Sequence, residues 1–360
     1  KIYADDLDNA TLEQFFSALE QPFSVRGALM PDAHLGYSLP IGAVVATRDA
    51  ILPSWVGYDI GCGMCAVPTS FAATQVRAAS RDIFDAIYRA VPVGFAHNRQ
   101  PTPWDDALRL PRTAVVDKLL AKNGYHQLGS LGSGNHFIEI GADEEDRIWI
   151  IIHSGSRNLG HSVATHYMKL AAGGKAREGH FALAVDSRDG RDYLKDLNFC
   201  LQFALRNRHE IIHRVVAQIQ NVCAGDADWP RLINRNHNHA EEKEGLWIHR
   251  KGATHAESGM AGVIPGNMRD GSLIVVGKGN PEALWSSSHG AGRALGRKQA
   301  KRQLSLKSFR DSMYGITARV DQGTLDEAPA AYKNLEEVMA RQRDLVTIRH
   351  RVRPIINIKG

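Results

Sequence analysis

Six short segments of the sequence place residues that can bind a metal ion or a phosphate group in or beside a turn. Asn236–His239 lacks glycine, whereas the other five combine such residues with glycine: Pro31–Gly36, Asp59–Gly63, Gly134–Glu139, His153–Arg157 and Ser288–Arg293. Glycine lets the backbone approach a ligand closely, and loops at strand ends are where binding residues usually lie. We therefore expect the six segments to converge on one site.

Asp59 and Cys62 form the first candidate pair. A carboxylate and a thiolate in one turn can bind one or two metal ions. Cys62 also forms a C-x-x-C pair with Cys65, a pattern found in zinc and redox sites. The sequence has no second C-x-x-C pair and no thioredoxin-like context, so a zinc or redox role for this pair is the weaker alternative.

Three histidines lie beside small or amide residues at predicted strand ends: His136, His153 and His237. One thiolate, one carboxylate and several imidazoles suit manganese, iron, zinc or cobalt, whereas magnesium prefers oxygen ligands. The spacing of the residues does not distinguish among these metals. For any single histidine, a structural role is the alternative.

His289 is predicted to open a helix that runs from Ala291 to Leu304. The free backbone N–H groups of the first turn, with Gly290 and Gly292, would then form an anion-binding cradle. A histidine in this position can carry a phosphoryl or nucleotidyl group covalently. The alternative, equally compatible with the spacing, is a helix-capping histidine.

Two runs of basic residues flank the histidine-containing segments. Arg293, Arg297 and Lys301 share one face of the predicted helix, because they repeat at i, i+4 and i+8. The second run spans Arg341–Arg353. A single run is more typical of a solvated surface, but two of them favour a phosphate-facing surface.

Two further segments can contribute to a ligand site. The turn Ile264–Met268 and the following Ser272 offer backbone amides and a hydroxyl group, although a plain hairpin entry is the alternative. Lys359 lies near the end of an apolar strand. It would be solvated unless that strand returns to the site.

The elements that must position these residues follow one another without a regular βαβ rhythm, so we predict an α+β fold. A buried strand is expected at Arg147–Ile152 and a long amphipathic helix at Leu194–Gln220. Another helix is expected at Ala331–Asp344. Val346–Ile358 is predicted to form a strand pair that bends at Pro354.

The composition is that of an ordinary globular protein, with 360 residues, 43% hydrophobic and 23% charged. No apolar run approaches the roughly 20 residues that span a bilayer, so we expect no membrane partner. Four scattered cysteines do not form a disulfide framework, which favours a reducing cytoplasm. The net charge of +5 is compatible with a polyanionic partner. Lys1 in place of Met suggests that the true start lies upstream, and no composition shift divides residues 1–360, so we predict a single domain.

Taken together, these segments resemble the RtcB family of RNA-splicing ligases over nearly the whole chain. Nine motifs occur in the family's order: MPDAHLGY, VGYDIGCGM, LGSGNHFIEI, HSGSRNLG, HNHA, HRKGA, IPGNM, SSSHGAGR and the terminal IKG. One motif alone could arise by chance, but nine in order are a specific signal. The resemblance implies an RtcB-like α+β fold, in which mixed β-sheets and surrounding helices enclose a central metal and nucleotide cleft.

The resemblance also implies roles for the matching residues. Two Mn²⁺ ions would be bound by Asp59, Cys62, His136, His153 and His237. GTP, and then GMP, would be bound by Asn135, His136, Phe137, Ile138, Glu139, His237, Asn238, Pro265, Gly266, Asn267, Met268, Ser272, His289, Gly290, Ala291, Gly292 and Lys359. His289 would be the catalytic residue that takes GMP from GTP, and Asp32 would be an acidic residue near the same site.

The implied reaction joins RNA with a 3′-phosphate or 2′,3′-cyclic phosphate end to RNA with a 5′-hydroxyl end, in tRNA splicing or RNA repair. GMP would pass from the histidine to the 3′-phosphate, and the 5′-hydroxyl would then displace GMP. Water would first open a cyclic phosphate. An archease-like activator is a further implied partner, and the two basic runs are expected to contact RNA phosphates.

The chain departs from the common family pattern in several places. Asn158 replaces a usual glycine, Asn267 replaces a usual serine, Cys65 is an additional thiol, and the stretch between Val91 and His126 is short. These changes leave the presumed ligands in place but leave the choice of RNA open, as in a divergent paralogue that works in repair.

Two alternatives belong to other functional classes. A metal-dependent RNA-end phosphoesterase would need the metal ions but not His289. A non-catalytic RNA-binding scaffold would need neither, but it does not explain why so many ligand types lie in glycine-containing turns.

Overall fold

A computed structural model describes residues 1–174 and 179–360 of the chain. Within these ranges the chain forms sixteen strands, numbered in order: β1 Ser24–His34, β2 Ile41–Thr47, β3 Ala50–Ile51, β4 Gly63–Ala72, β5 Phe137–Ala142, β6 Arg147–Ser154, β7 Leu183–Ala184, β8 Ile233–Asn236, β9 Asn238–Lys243, β10 Leu246–Lys251, β11 Ala253–His255, β12 Ala261–Pro265, β13 Ser272–Gly277, β14 Ser286–Ser288, β15 Thr317–Ala318 and β16 Val346–Lys359.

The described residues also form eleven α-helices, again numbered along the chain: α1 Asn9–Leu19, α2 Pro53–Val56, α3 Ala73–Ala78, α4 Ser80–Ala90, α5 Ala114–Leu119, α6 Tyr125–Gln127, α7 Arg157–Ala171, α8 Arg188–Gln220, α9 Arg297–Gln303, α10 Leu306–Ser312 and α11 Leu335–Ala340. The mixture of helices and strands confirms the predicted α+β class. In the part of the chain that the structure describes, no helix is both long and apolar enough to cross a membrane.

The largest sheet runs in the order β12-β13-β16-β5-β6-β4-β8 with antiparallel neighbours, and β15 pairs in parallel with β16. The sheet curls so that its two edge strands approach each other. Arg235 Nε on β8 donates a hydrogen bond to the Ala261 carbonyl on β12 at 3.4 Å. The curl therefore encloses an inner face and leaves an outer face for the helices.

β6 is buried on both of its faces. Ile150 and Ile152 pack outside the curl in the core that includes Ile211 of α8, whereas Trp149 and Ile151 pack inside it. A strand covered on both sides needs apolar residues at every position, which explains the unbroken run RIWIII in the sequence. The predicted buried strand is confirmed.

α8 is the long helix predicted from the spacing of apolar residues, and it begins six residues earlier, at Arg188 instead of Leu194. The Ser187 hydroxyl accepts a hydrogen bond from the Gly190 N–H at 3.0 Å and so caps the first turn. Its apolar face covers the outside of the large sheet.

A second antiparallel sheet runs in the order β1-β2-β10-β9. Close to it, β11 pairs with β14, with Ala253 opposite Ser288. β14 ends at Ser288, so His289 follows directly after a strand. The two sheets and the β11–β14 pair therefore bring their loops to the same region.

The predicted helix from Ala291 to Leu304 is wrong over its first half, because only Arg297–Gln303 is helical. Gly292 has a φ of +75° and lies against the Asp32 carbonyl, where a side chain would not fit. This close approach holds the segment after His289 in a turn. The anion-binding cradle expected from a helix N-terminus at His289 is therefore absent from this described segment.

Two other elements near the end of the chain differ from their predictions: the helix is shorter, and the strand pair is a single strand. The helix expected at Ala331–Asp344 is limited to α11, which begins after Asn334 caps its first turn. Instead of a strand pair, β16 is one strand that pairs first with β13 and then with β5. The bend at Pro354 appears as a shift of register between Pro354 and Ile356.

Candidate functional site

The ends of four strands of the large sheet meet at one edge. Gly63 at the start of β4 lies opposite both Ser154 in β6 and Asn236 in β8, and Phe137 at the start of β5 lies opposite His153. In an antiparallel pair the start of one strand lies beside the end of the next. This register brings together four predicted metal ligands: Cys62, His136, His153 and His237.

The side chains of these residues, with Asp59, converge on a common space. Cys62 Sγ lies 3.3 Å from His136 Nε2 and 3.2 Å from His153 Nε2. His153 Nε2 lies 3.2 Å from His237 Nε2, and Asp59 Oδ2 lies 3.0 Å from His136 Nε2. The structure thus places all five residues that were predicted to bind metal in one cluster.

Backbone carbonyls orient two of the imidazoles. His136 Nδ1 lies 3.0 Å from the Leu131 carbonyl, and His153 Nδ1 lies 3.1 Å from the Asn135 carbonyl. A carbonyl only accepts hydrogen bonds, so each Nδ1 carries the proton and each Nε2 directs a lone pair at Cys62. Facing lone pairs repel unless a cation lies among them, and this donor set fits a borderline divalent metal ion.

Burial sets the protonation of the cluster. It raises the pKa of the Cys62 thiol well above its ordinary value and lowers the pKa values of His153 and His237 well below theirs. The two imidazoles are therefore neutral at pH 7, which is the form that binds metal. The thiol must lose a proton before it can bind.

Cys65 does not join the cluster. Its side chain is fully buried in the core under the sheet, with Val67 and Ile152, and burial raises the pKa of its thiol to about 12. The two thiols therefore lie in different environments, Cys62 in the candidate metal cluster and Cys65 in the hydrophobic core. The structure gives no support to a zinc or redox site shared by them.

His289 lies beside the metal-binding cluster, with its ring centroid 4.7 Å from that of His237. Its Nδ1 lies 2.7 Å from Asp32 Oδ2, although off the direction of a ring N–H, and its backbone N–H donates to the same oxygen at 3.2 Å. Asp32 is fully buried, so the carboxylate favours a proton on Nδ1. This leaves Nε2 as the nucleophilic nitrogen.

His289 divides a cleft into two cavities. The first, which we call the Glu139 cavity, has a volume of about 300 Å³. The second, the Cys62 cavity, has a volume of about 240 Å³ and is also lined by Asp59 and His237. Asn135 and His289 line both cavities, so the two cavities adjoin at the histidine.

An acidic and a basic side chain, those of Glu139 and Lys359, are buried and line the Glu139 cavity. Burial raises the pKa of Glu139 to about 8, and its Oε1 has no hydrogen-bond partner among the described residues. Lys359 Nζ donates to Glu327 Oε2 at 2.7 Å. Burial alone would raise the pKa of Glu327, but the charges of Lys359 and Arg297 hold it at about 2. The cavity therefore offers an unsatisfied acidic acceptor next to an ammonium donor.

Most residues predicted to bind a nucleotide line the Glu139 cavity: Asn135, Phe137, Glu139, Pro265, Gly266, Asn267, Met268, His289, Gly290, Ala291, Gly292 and Lys359. Three others lie beyond His289, on the metal side of the cleft: His136, His237 and Asn238. The buried Ser272 hydroxyl lies next to the Glu139 carboxyl and outside the cavity lining. The Ile138 side chain packs in the core, because alternate residues of β5 face opposite sides of the sheet.

Sequence reasoning assigned no individual role to four residues that line this cavity: His34, Ile41, Tyr332 and Asn357. Asn357 could have been found, because it lies two residues before Lys359 in β16 and so faces the same side of the sheet. Its Oδ1 is buried without a hydrogen-bond partner among the described residues. Tyr332 lies in irregular structure and carried no periodic signal.

Arg208 of α8 connects the loops that carry three of the metal-binding residues. Its Nη1 donates to the Gly61 and Ser154 carbonyls, each at 2.8 Å, and its Nη2 donates to Asn236 Oδ1 at 2.7 Å. These acceptors precede Cys62, follow His153 and precede His237 in the sequence. Asn207, the preceding residue, bonds through Nδ2 to the Gly155 carbonyl at 3.1 Å.

The basic face expected to contact phosphates is largely neutralised by carboxylates. Arg293 Nη1 lies 3.1 Å from Glu327, Arg297 Nη1 lies 2.6 Å from Asp326, and Lys301 Nζ lies 3.3 Å from Asp326. The partner carboxylates lie far from these cations in the sequence, so local sequence patterns did not predict the pairs. The three cations are therefore paired with carboxylates of the protein, and Arg293 and Arg297 also line the Glu139 cavity.

Comparisons with known proteins identify the family that this sequence matches. The family model described as "tRNA-splicing ligase RtcB" matches residues 14–110 and 104–360. The "RNA-splicing ligase RtcB1" of Escherichia coli is 35% identical over 97% of this chain and 93% of its own length. The "tRNA-splicing ligase RtcB" of Pyrobaculum aerophilum is 30% identical over 100% of this chain and 94% of its own. The "RNA-splicing ligase RtcB homolog 1" of Entamoeba dispar is 28% identical over 97% and 82%.

Metal binding should release a proton from Cys62. Because burial raises the pKa of this thiol, the folded protein without metal holds it protonated at pH 7. Affinity for a divalent metal should therefore rise with pH, by up to about tenfold per unit below that pKa. Calorimetry in buffers of different ionisation enthalpy measures the protons released. Cys62→Ser should release about one proton fewer and bind more weakly, and Cys65→Ala is the matched control. Equal proton release by Cys62→Ser and wild type would contradict the prediction.

Arg208 should act as a positioning residue for the metal cluster. A lysine keeps the charge but lacks the planar fork, so Arg208→Lys should leave one or more acceptors unpaired and loosen the strand ends. We expect metal affinity to fall by about 10- to 100-fold, measured by titration calorimetry on protein shown to be folded by circular dichroism. Arg188→Lys, at an exposed position on the same helix, is the control. Wild-type affinity in a folded Arg208→Lys variant would refute this role.

Proposed function

The chain belongs to the RtcB family and is an RNA ligase; from this premise we propose that it joins RNA ends with Mn²⁺ and GTP through a guanylylated His289. The observation that carries this proposal is the position of His289. It lies beside five metal-binding side chains and between two cavities. An imidazole between a metal cluster and a nucleotide-sized cavity is suited to phosphoryl chemistry on both sides.

The metal ions of the proposed reaction would be held by five residues: Asp59, Cys62, His136, His153 and His237. The unprotonated Nε2 atoms directed at Cys62 support this proposal, since they fit a cation. Two Mn²⁺ ions would neutralise the triphosphate and stabilise the charge that builds up at phosphorus. Mn²⁺ is chosen from the suitable metals on the family resemblance.

His289 acts as the nucleophile in the first proposed step. Its Nε2 attacks the α-phosphorus of GTP, the bond to the bridging oxygen breaks, and pyrophosphate leaves with the electron pair. A phosphorus–nitrogen bond to GMP results. The Asp32 carboxylate, 2.7 Å from Nδ1, stabilises the positive charge that the ring gains in this step.

The Glu139 cavity is suited to the guanine base. Guanine presents an N1–H and a 2-amino group side by side, with the O6 acceptor next to them. The Glu139 carboxylate can accept from the two donors, and Lys359 can donate to O6. Adenine presents the opposite pattern at these positions, so this pair of residues supports GTP over ATP.

RNA enters in the second and third proposed steps. An oxygen of the RNA 3′-phosphate attacks the phosphorus of the histidine-bound GMP, and His289 recovers its lone pair. The 5′-hydroxyl oxygen of the other RNA end then attacks the 3′-phosphorus, its proton goes to solvent, and GMP leaves. An end with a 2′,3′-cyclic phosphate is first opened by water. The two possible settings are tRNA splicing and RNA repair.

The same proposal covers the domain organisation of the protein, its location and its activating partner. We propose that residues 1–360 act as one ligase domain. The four cysteines are unpaired, which supports a reducing cytoplasm as the location. An archease-like activator is included among the partners on the family resemblance alone.

Labelling with GTP tests the central step. Protein incubated with α-labelled GTP and Mn²⁺ should become labelled, and a phosphorus–nitrogen bond should survive alkali but not acid. His289→Ala should abolish the label, because the other described residues that line both cavities, Ile41 and Asn135, are not nucleophiles. His166→Ala, on the exposed face of α7, is the matched control and should label as wild type does. Wild-type protein that opens or removes RNA-end phosphates without any label would instead be a phosphoesterase.

Glu139 should make nucleotide binding depend on pH. With a pKa of about 8, the carboxyl is mostly protonated at pH 6 and becomes the required carboxylate as the pH rises. GMP affinity without metal should therefore increase by up to about tenfold per unit between pH 6 and 8. Glu139→Gln should lose this pH dependence and much of the preference for GMP over AMP. A Gln variant with wild-type selectivity in titration calorimetry would exclude the proposed contact.

A further inference from the structure

The metal side of the cleft is walled by aromatic rings that the proposed reaction leaves without a role. Tyr37 and Tyr58 line the Cys62 cavity. Tyr58 also lines a third cavity, the Phe95 cavity, with Phe95 and His161. Asp59 and Asn135 line both cavities, so these rings form one wall that continues directly from the metal cluster.

Three rings of this aromatic wall contact one another, and two of its rings are largely exposed. Tyr37 and Tyr58 meet edge to face at 6.1 Å between centroids, and Tyr58 stacks on His161 at 5.1 Å with 22° between the planes. Tyr37 is 62% exposed and Phe95 is 96% exposed. Phe95 lines the same cavity as Tyr58 and His161, so its exposed ring extends an aromatic patch, and such patches mark binding sites more often than single exposed rings do.

The charges around the aromatic wall select an anionic occupant. Among the described residues that line the two cavities, Asp59 is the sole carboxylate, and it belongs to the metal cluster. Lys251 lines one cavity and Arg157 lines the other. With metal bound, the surroundings are cationic, and the exposed surface is made of planar rings.

Arg157 adds a second indication that this end of the cleft is built for a ligand. It is a non-glycine residue with a φ of +59°, a conformation that costs free energy and that occurs in clusters at functional sites. Its guanidinium is held by the Gly94 carbonyl, at 3.1 Å from Nη2, and by the Ser130 hydroxyl, at 3.3 Å from Nε. Gly94 directly precedes Phe95, so the cation and the exposed ring belong to one local unit.

We propose that the aromatic wall, formed by Tyr37, Tyr58, Phe95 and His161, stacks on the unpaired base next to the phosphate-bearing end of the RNA. This inference rests on the proposed function and specifies its substrate. Phosphate needs cations, and Arg157 and the metal ligand His136 line the same cavity as Phe95. The phosphate-bearing strand therefore enters here, and the 5′-hydroxyl strand approaches from another side.

Stacking predicts how the enzyme chooses among broken RNAs. Every base has a planar face, so the wall accepts any base but requires it to be unpaired. Single-stranded or frayed 3′-phosphate ends should be preferred to ends held in a blunt duplex. The identity of the terminal base should matter little.

A binding experiment tests the wall without requiring catalysis. An oligonucleotide with 2-aminopurine as its last base before the 3′-phosphate should lose fluorescence on binding in the presence of Mn²⁺. Phe95→Ala and Tyr37→Ala should each weaken binding by about 5- to 20-fold, in the range of lost base stacking. Phe95→Leu keeps the apolar bulk and should show the same loss. Tyr314→Ala, at a ring that is 95% exposed and lines neither cavity, is the control.

A ligation experiment with abasic substrates identifies the strand. Removing the terminal base from the 3′-phosphate strand should slow wild-type ligation several-fold, whereas removing it from the 5′-hydroxyl strand should have little effect. The reverse pattern, or wild-type affinity of both the Phe95→Ala and the Tyr37→Ala variant for the fluorescent RNA, would overturn this inference. Failure of wild-type protein to form the GMP adduct would instead overturn the proposed function, and the binding measurement would still decide the role of the wall.

Discussion

The guanidinium of Arg208 holds the site together. It is fully buried, and its fork reaches carbonyl or amide oxygens adjacent to Cys62, His153 and His237. A backbone hydrogen bond from the His237 N–H to the Cys62 carbonyl, at 2.7 Å, joins two of these segments, whereas Arg208 reaches all three. A planar group with five donors can fix several acceptors at once, so one side chain from α8 sets the spacing of ligands that come from different strands.

The buried charge of Arg208 also shapes the electrostatics of the cluster. Burial lowers the pKa of Arg208 to about 10, despite the opposing influence of Cys65, Cys62 and Asp59, so the group stays positive at neutral pH. A cation beneath the cluster favours the thiolate of Cys62 over the thiol. The same charge would repel a bound divalent ion, and the carboxylate of Asp59 would offset that repulsion.

The functional groups follow one another along the cleft. The Glu139 cavity, His289, the metal cluster and the aromatic wall follow one another, and Asn135 lines each of the three cavities. The Asn135 carbonyl also orients His153, so one residue touches both the ligand space and a metal ligand.

The sequence by itself determined the donor atoms, because residue type and glycine-rich surroundings are local properties. It indicated Cys62, His136, His153 and His237, the nucleophilic candidate His289 and the α+β class. It did not determine the helix boundary after His289, where the contact of Gly292 with the distant Asp32 carbonyl decides the local conformation. Local periodicity carries no information about such a contact.

Only the tertiary structure decided which partners complete the site. The separation of Cys65 from Cys62, the pairing of Arg297 with Asp326 and the position of Asn357 beside Glu139 all depend on strand register and long-range packing. The exposure of Phe95 likewise follows from what fails to pack against it. Residue types fix what chemistry is possible, and the fold decides which side chains meet, because the contacts that matter join segments far apart in the chain.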